Sequence, residues 1–199
     1  MKHQFILASG SEIRAKLLRA AGFKIETKPT EIDEAQIQST MLAKGALPGE
    51  IALELAHTKA RKIAEQRPNA LILGCDQVAA FDRRILTKPT SQEDAETQLN
   101  ALSGTMHSLF SAAVLYQEAE PVWHHIGRVN MHMHTLTPAY IEAYISRNWH
   151  SIRHAVGCYK LEEEGVRLFS AVEGDYFHVL GLPMIELLSY LTDRGELER

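Results

Sequence analysis

Short apolar runs alternate along the chain with longer stretches in which apolar residues recur at helical spacing. Phe5-Ile6-Leu7-Ala8 is closed by Ser9-Gly10-Ser11, which predicts a buried strand and a small-residue turn. Leu17, Leu18 and Ala21 then mark one helical face, and Gly22 follows. A helix from about Ser11 to Ala21 with a glycine stop is expected. Phe23 to Thr27 alternates like a half-buried strand until Pro29 breaks the pattern. Residues 30–34 read as an acidic loop, and the weakly patterned residues 35–47 as a mobile segment over a binding site. Ile51, Leu55, Ala56, Ala60, Ile63 and Ala64 fall near one face of a helix that starts at Leu47-Pro48-Gly49-Glu50 and runs to about Glu65.

The most apolar stretch is Ala70 to Ala79. It is apolar at odd and even positions alike, the pattern of a central strand covered on both faces. Asp76 interrupts it. A carboxylate there costs several kcal/mol unless it is paired, ligated or placed at the strand end, so Asp76 either ends the strand or performs chemistry.

Further on, Asp82-Arg83-Arg84 reads as a hairpin-like turn, and Ile85-Leu86-Thr87-Lys88-Pro89 sets a lysine at a rigid turn. A helix is expected from Thr90-Ser91 to Ser103-Gly104, strands over 108–116 and 122–134, and a helix from Thr137-Pro138. The reading continues with a loop and strand over 154–161, an acidic turn at 162–165 and a strand over 166–172. A last helix follows Pro183, and Gly195 to Arg199 form a frayed tail.

Composition narrows the classes. With 199 residues, 45% hydrophobic and 23% charged, the chain fits one soluble domain spanning 1–199. A net charge of −4 leaves no basic excess for nonspecific nucleic-acid binding. No apolar run reaches transmembrane length and no secretory leader is visible, so neither a membrane partner nor export is expected. Cys75 and Cys158 lie among apolar residues and read as reduced, buried thiols, with the cytoplasm as the expected compartment.

Candidate chemistry starts at the first turn. A helix beginning near Ser11 aims free N–H groups and its positive dipole end at Ser9-Gly10-Ser11, an arrangement that suits phosphate. Arg14, one turn in, can grip phosphate oxygens. Among the histidines, His132 and His134 share a strand face and His124 and His125 lie nearby. A zinc site is set aside there for want of a third clear ligand, in favour of a half-exposed strand.

Taken in order, Ala8-Ser9-Gly10-Ser11 with Arg14, Asp33-Glu34, Lys59-Ala60, Gly74-Cys75-Asp76-Gln77-Val78, Lys88-Pro89, Leu102-Ser103-Gly104, Glu173-Gly174-Asp175-Tyr176 and Gly181-Leu182-Pro183 form a specific set. That set resembles the Maf family of nucleoside triphosphate pyrophosphatases over residues 5–190. The resemblance implies an α/β fold of two lobes around a twisted mixed sheet flanked by helices, with a cleft between, similar to inosine triphosphate pyrophosphatases. It implies hydrolysis of a nucleoside triphosphate to the monophosphate and pyrophosphate with a divalent metal, Mg or Mn. Asp76 matches the catalytic aspartate, and Glu34 with Asp76 the metal-holding acids. Ser9, Arg14, Lys59 and Lys88 match triphosphate-binding positions. Gln77 and Glu162 stand where the branch acting on 7-methyl-GTP differs from the dTTP/UTP branch, which implies a modified or noncanonical substrate. The chain departs from the family in Ile13 and Ala15, where others carry basic or aromatic residues, and in Thr87 before Lys88-Pro89. A noncatalytic nucleotide-binding regulator of cell division on the same fold is the alternative. A homodimer is compatible with the resemblance, although no patch in the sequence is diagnostic of one.

Overall fold

The first apolar run forms strand β1 (Phe5–Leu7), which pairs in parallel with β2 (Ile25–Thr27) on one side and β3 (Leu71–Phe81) on the other. This is a computed structural model, and it describes residues 3–82 and 84–198. Met1, Lys2, Arg83 and Arg199 lie outside the described residues, and with them part of the expected turn at 82–84 and the end of the expected tail. The remaining elements, in chain order, are α1 (Glu12–Ala20), α2 (Glu34–Ala43), α3 (Pro48–Ala64), β4 (Arg84–Leu86), α4 (Gln92–Leu102), β5 (Met106–Gln117), β6 (Glu120–Met133), α5 (Pro138–Ile152), β7 (Phe169–Glu173), α6 (Tyr176–Val179) and α7 (Met184–Asp193). Seven strands join in the order β2-β1-β3-β5-β6-β7, with β4 antiparallel to β3. The sheet is therefore mixed, with helices flanking it.

Two compact units divide the chain. One holds the residues up to Gln77, Phe110–Gly127 and those from Tyr176 onward; the other holds Val78–Leu109 and Arg128–Asp175. In the first unit, Phe5, Leu7, Leu71, Leu73 and Cys75 from the strands meet Leu18 of α1 and Leu187 and Leu191 of α7 in one apolar cluster. Each large side chain so buried contributes about 1.5–3 kcal/mol. In the second unit α4 and α5 lie against each other and turn Leu99, Leu102, Ile141 and Ile145 away from water. There β7 runs antiparallel to β6, with a register shift between His132 and Met133.

Four expectations change. Residues 35–43 of the weakly patterned segment belong to helix α2, which Asp33 caps by accepting from the Gln36 N–H at 2.9 Å. Helix α2 buries none of its side chains, so there is no apolar stripe for a periodicity argument to find. Residues 154–161 contain no strand; a 3-10 turn at Val156–Cys158 takes its place, with Gly157 at φ +74 and Cys158 at φ +63. The expected strand at 166–172 starts late, at Phe169, because a second 3-10 turn occupies Glu164–Leu168. The tail is tied down as far as Glu196, which is buried and takes a 2.8 Å contact from His3 Nδ1.

Candidate functional site

Asp76 does not end its strand: β3 continues to Phe81. It is a buried carboxylate in mid-strand, and what surrounds it follows from Gly74. Residues 74 and 76 share a face of the strand, and that face meets α3. A Cβ on Gly74 would stand 2.2 Å from the Ala56 carbonyl oxygen and 2.8 Å from the Ala60 Cβ. Helix α3 therefore rests directly on the backbone at Gly74. Lys59, between these two contacts in sequence, reaches the next residue along the same face.

The Lys59 ammonium donates to Asp76 Oδ1 in a very short contact and sits 2.6 Å from Glu34 Oε1. Lys59 and Asp76 are buried, whereas the Glu34 side chain keeps 41% of its surface. Glu34 is brought there as the first residue of α2, while the Lys62 ammonium ties the preceding loop to α3 through the Glu31 carbonyl at 2.7 Å. Burial pushes the Asp76 carboxyl above the ordinary aspartate range; Lys59 and Arg14 oppose that rise, and the Glu34 charge adds to it.

Beside this cluster lies the turn between β1 and α1. Ser11 caps α1, and Ser9 Oγ accepts from the Ser11 N–H at 3.2 Å. Arg14 turns inward and is buried. Its Nη1 donates to the Cys75 carbonyl at 2.9 Å and lies 3.4 Å from Ser9 Oγ. Room for the guanidinium comes from Gly181, at φ +83, where a Cβ would stand 2.7 Å from Nη2. Arg14 Nε is buried without a hydrogen-bond partner among the described residues. An unpaired buried donor on a cation is costly, and an anion at this turn would satisfy it.

Gln77 points to the other face of β3. Its amide nitrogen lies 2.9 Å from Ser111 Oγ and from the carbonyls of His178 and Val179. Its two amide hydrogens are therefore engaged within the protein. Lys88 and Glu162 belong to the second unit, both exposed: Lys88 follows β4, and Glu162 sits in a turn. Its neighbours Glu163 and Glu164 are paired, with Ser151 and Lys160 and with Arg147 and Asn148 respectively. The structure thus gathers Ser9, Arg14, Glu34, Lys59 and Asp76 in one unit. Gly74 and Gly181, whose missing side chains admit Lys59 and Arg14, went unread as site features; a glycine inside an apolar strand is the signal that marks the first. Both cysteines are free and buried, and burial raises each thiol to about 12.

Fold and site together define an α/β protein with a buried lysine set between two carboxylates, beside a helix N-terminus and an inward-facing arginine. The family model described as Maf-like protein matches residues 4–194. The chain belongs to the Maf family. It is 54% identical over 199 residues, all of both chains, to a protein of Roseobacter denitrificans named nucleoside triphosphate pyrophosphatase. It is 39% identical over 198 residues, all of both chains, to one of Mesorhizobium japonicum named 7-methyl-GTP pyrophosphatase. Among solved structures, a dITP/XTP pyrophosphatase from Mycobacterium abscessus aligns at 17% identity and TM-score 0.40, over 67% of this chain and 75% of that one. No described helix is long and apolar enough to cross a membrane.

Proposed function

We propose that the chain is a nucleoside triphosphate pyrophosphatase, folded as one functional domain of two units, in which Asp76 acts as the base toward water. The observation that carries this is the buried Lys59 ammonium held between the Asp76 and Glu34 carboxylates. Water attacks the α-phosphorus, the bond from that phosphorus to the bridging oxygen breaks, and pyrophosphate leaves. Asp76 takes the proton from the attacking water. Burial raises its proton affinity toward the working pH, which suits a general base. Charge builds on the phosphate oxygens as the bond breaks. Lys59, Arg14 with its unpaired Nε and the free N–H groups at the start of α1 meet that charge with preorganised donors.

A divalent cation fits the donor set. Two carboxylates, Glu34 and Asp76, already converge on one ammonium, and hard oxygen ligands suit Mg or Mn. Bound there, such a cation would neutralise phosphate charge. A noncatalytic regulator has no need of a buried base of this kind.

The substrate we favour is a modified or noncanonical triphosphate, with 7-methyl-GTP foremost. Glu162 is exposed and, as a carboxylate, can accept from a guanine N1–H and amino group and offset the charge of a methylated base. Gln77 acts on specificity indirectly, by holding the 178–179 backbone. The two buried free thiols support a reducing compartment, the cytoplasm. The test is pyrophosphate release with Mg or Mn across 7-methyl-GTP, dTTP, UTP, CTP and ATP, run beside Asp76→Asn. We expect turnover of one class and its collapse by about 100-fold or more in the variant, with nucleotide binding kept. Unchanged turnover in Asp76→Asn would remove Asp76 from the role of base.

A further inference from the structure

Away from Lys59, on the other side of Gln77, three potential ligands meet in the first unit. His125 and Gly127 lie on the same face of β6, two residues apart. Gly127 leaves room there for an imidazole: a Cβ on it would stand 1.9 Å from His178 Nδ1 and 2.1 Å from its Cε1. His178, on α6, is thereby laid against the strand beside His125, their ring centroids 5.7 Å apart. Its backbone is fixed as well, because its carbonyl accepts from Ser111 Oγ at 2.5 Å and Gln77 Nε2 at 2.9 Å. Glu186, in the first turn of α7, reaches both rings. Its Oε2 is 3.1 Å from His178 Nε2 and its Oε1 is 3.6 Å from His125 Nε2.

We propose that His125, His178 and Glu186 form a binding site for a divalent transition-metal ion of the zinc class, sharing no residue with the carboxylates around Lys59. The ligand atoms of the three all lie within 4.8 Å of one another. Neighbouring ligands of a tetrahedral ion with bonds of about 2.1 Å stand about 3.4 Å apart, so small side-chain movements close the site. The contact from His125 to Glu186 is too long for a good hydrogen bond, and an ion between them would take its place. The His125 ring is oriented by stacking on Trp123, at 6.4 Å and 14°, and Trp123 in turn stacks on Tyr190. The His125 and Glu186 side chains are each about one third exposed, at 35% and 32%, which admits an ion from solvent and leaves a fourth position for water.

Two imidazoles and one carboxylate make a borderline donor set that prefers zinc to magnesium. The two kinds of metal therefore separate by chemistry: oxygen donors alone at Glu34 and Asp76, two nitrogens and one oxygen here. A bound ion would pin α6 and α7 to β6 and hold steady the His178 carbonyl on which Gln77, the neighbour of Asp76, rests. Glu186 is 61 positions from His125, so no local spacing pairs the two as ligands.

The test uses the untagged full-length chain stripped with a chelator and titrated with Co2+, followed by its visible absorption, and then with Zn2+ by calorimetry. We expect a single tight equivalent giving the bands of four-coordinate cobalt, displaced by Zn2+ and indifferent to excess Mg2+. His125→Ala and Glu186→Gln should each weaken binding by about 100-fold or more, whereas Asp76→Asn and Glu34→Gln should leave it unchanged. At one fixed concentration, Zn2+ that saturates the wild-type chain should raise its melting temperature by about 5–10 °C and that of His125→Ala by much less, with equal metal-free melting temperatures showing that the variant is folded. Absent cobalt bands, or binding that survives both histidine-site variants, or binding lost only in Asp76→Asn or Glu34→Gln, would each overturn the proposal. Because binding and melting are the readouts, the outcome is independent of whether the chain turns over nucleotides.

Discussion

Replacing Lys59 with methionine keeps the length and apolar stem of the side chain and removes its charge. In the wild-type structure that charge touches Asp76 and lies 2.6 Å from Glu34. Without it, two carboxylates face each other and the buried one loses its nearest cation. Removing one partner of a buried ion pair costs about 3–5 kcal/mol. Two features reduce the cost: Arg14 still acts on Asp76, and the exposed Glu34 can turn toward water. We therefore expect a loss of about 2–3 kcal/mol at pH 7, or about 5–10 °C in melting temperature for a chain of this size. The sign of the pH dependence follows from Asp76. Its folded-state proton affinity is already raised, chiefly by burial, and both effects of Lys59 on it lower that affinity. In the variant it rises further. A group raised on folding favours the folded state below its unfolded pKa, near 3.8, and that contribution is lost as pH rises through the folded value. The deficit of Lys59→Met against wild type should thus be largest at pH 7 and shrink toward pH 5. Urea unfolding of both proteins at the two pH values measures it. A deficit that is absent at pH 7, or equal at both pH values, would refute the account of Lys59 as the neutralising partner of a buried carboxylate.

Two further substitutions probe other parts of the structure. Gly74→Ala sets a methyl group 2.2 Å from the Ala56 carbonyl; lifting α3 off β3 should cost about 2–3 kcal/mol and reduce kcat/KM by displacing Lys59, and a wild-type urea midpoint would contradict the direct contact of helix and strand. Glu162→Gln should leave the fold intact and narrow the ratio of kcat/KM for 7-methyl-GTP over dTTP by about 10-fold, and an unchanged ratio would remove Glu162 from base recognition.

Much of the site was legible because its chemistry is carried by residue types that local rules make conspicuous. Asp76 stood out as a carboxylate in an otherwise apolar strand, and Ser9-Gly10-Ser11 as a cap and close-approach turn. Glu34 was named through resemblance alone, since the helix it begins has no buried face to reveal it. The 3-10 turn around Gly157 was unreadable for a related reason: backbone at positive φ, as at Cys158, is imposed by surroundings and not by side-chain preference.

What the sequence by itself determined are the strands up to β6, the capped helices other than α2 and the presence of a buried carboxylate that required a partner. Burial periodicity, cap residues and desolvation cost act over a few residues, so they can be read along the chain. The tertiary structure alone decided which cation that partner would be, because the absence of a Cβ at Gly74 brings α3 close enough for Lys59 to reach Asp76. It alone turned Arg14 inward over Gly181, and it alone brought His178 and Glu186 to His125. These are contacts between elements far apart in sequence. Their distances are set by how closely backbones approach, and no local pattern encodes that.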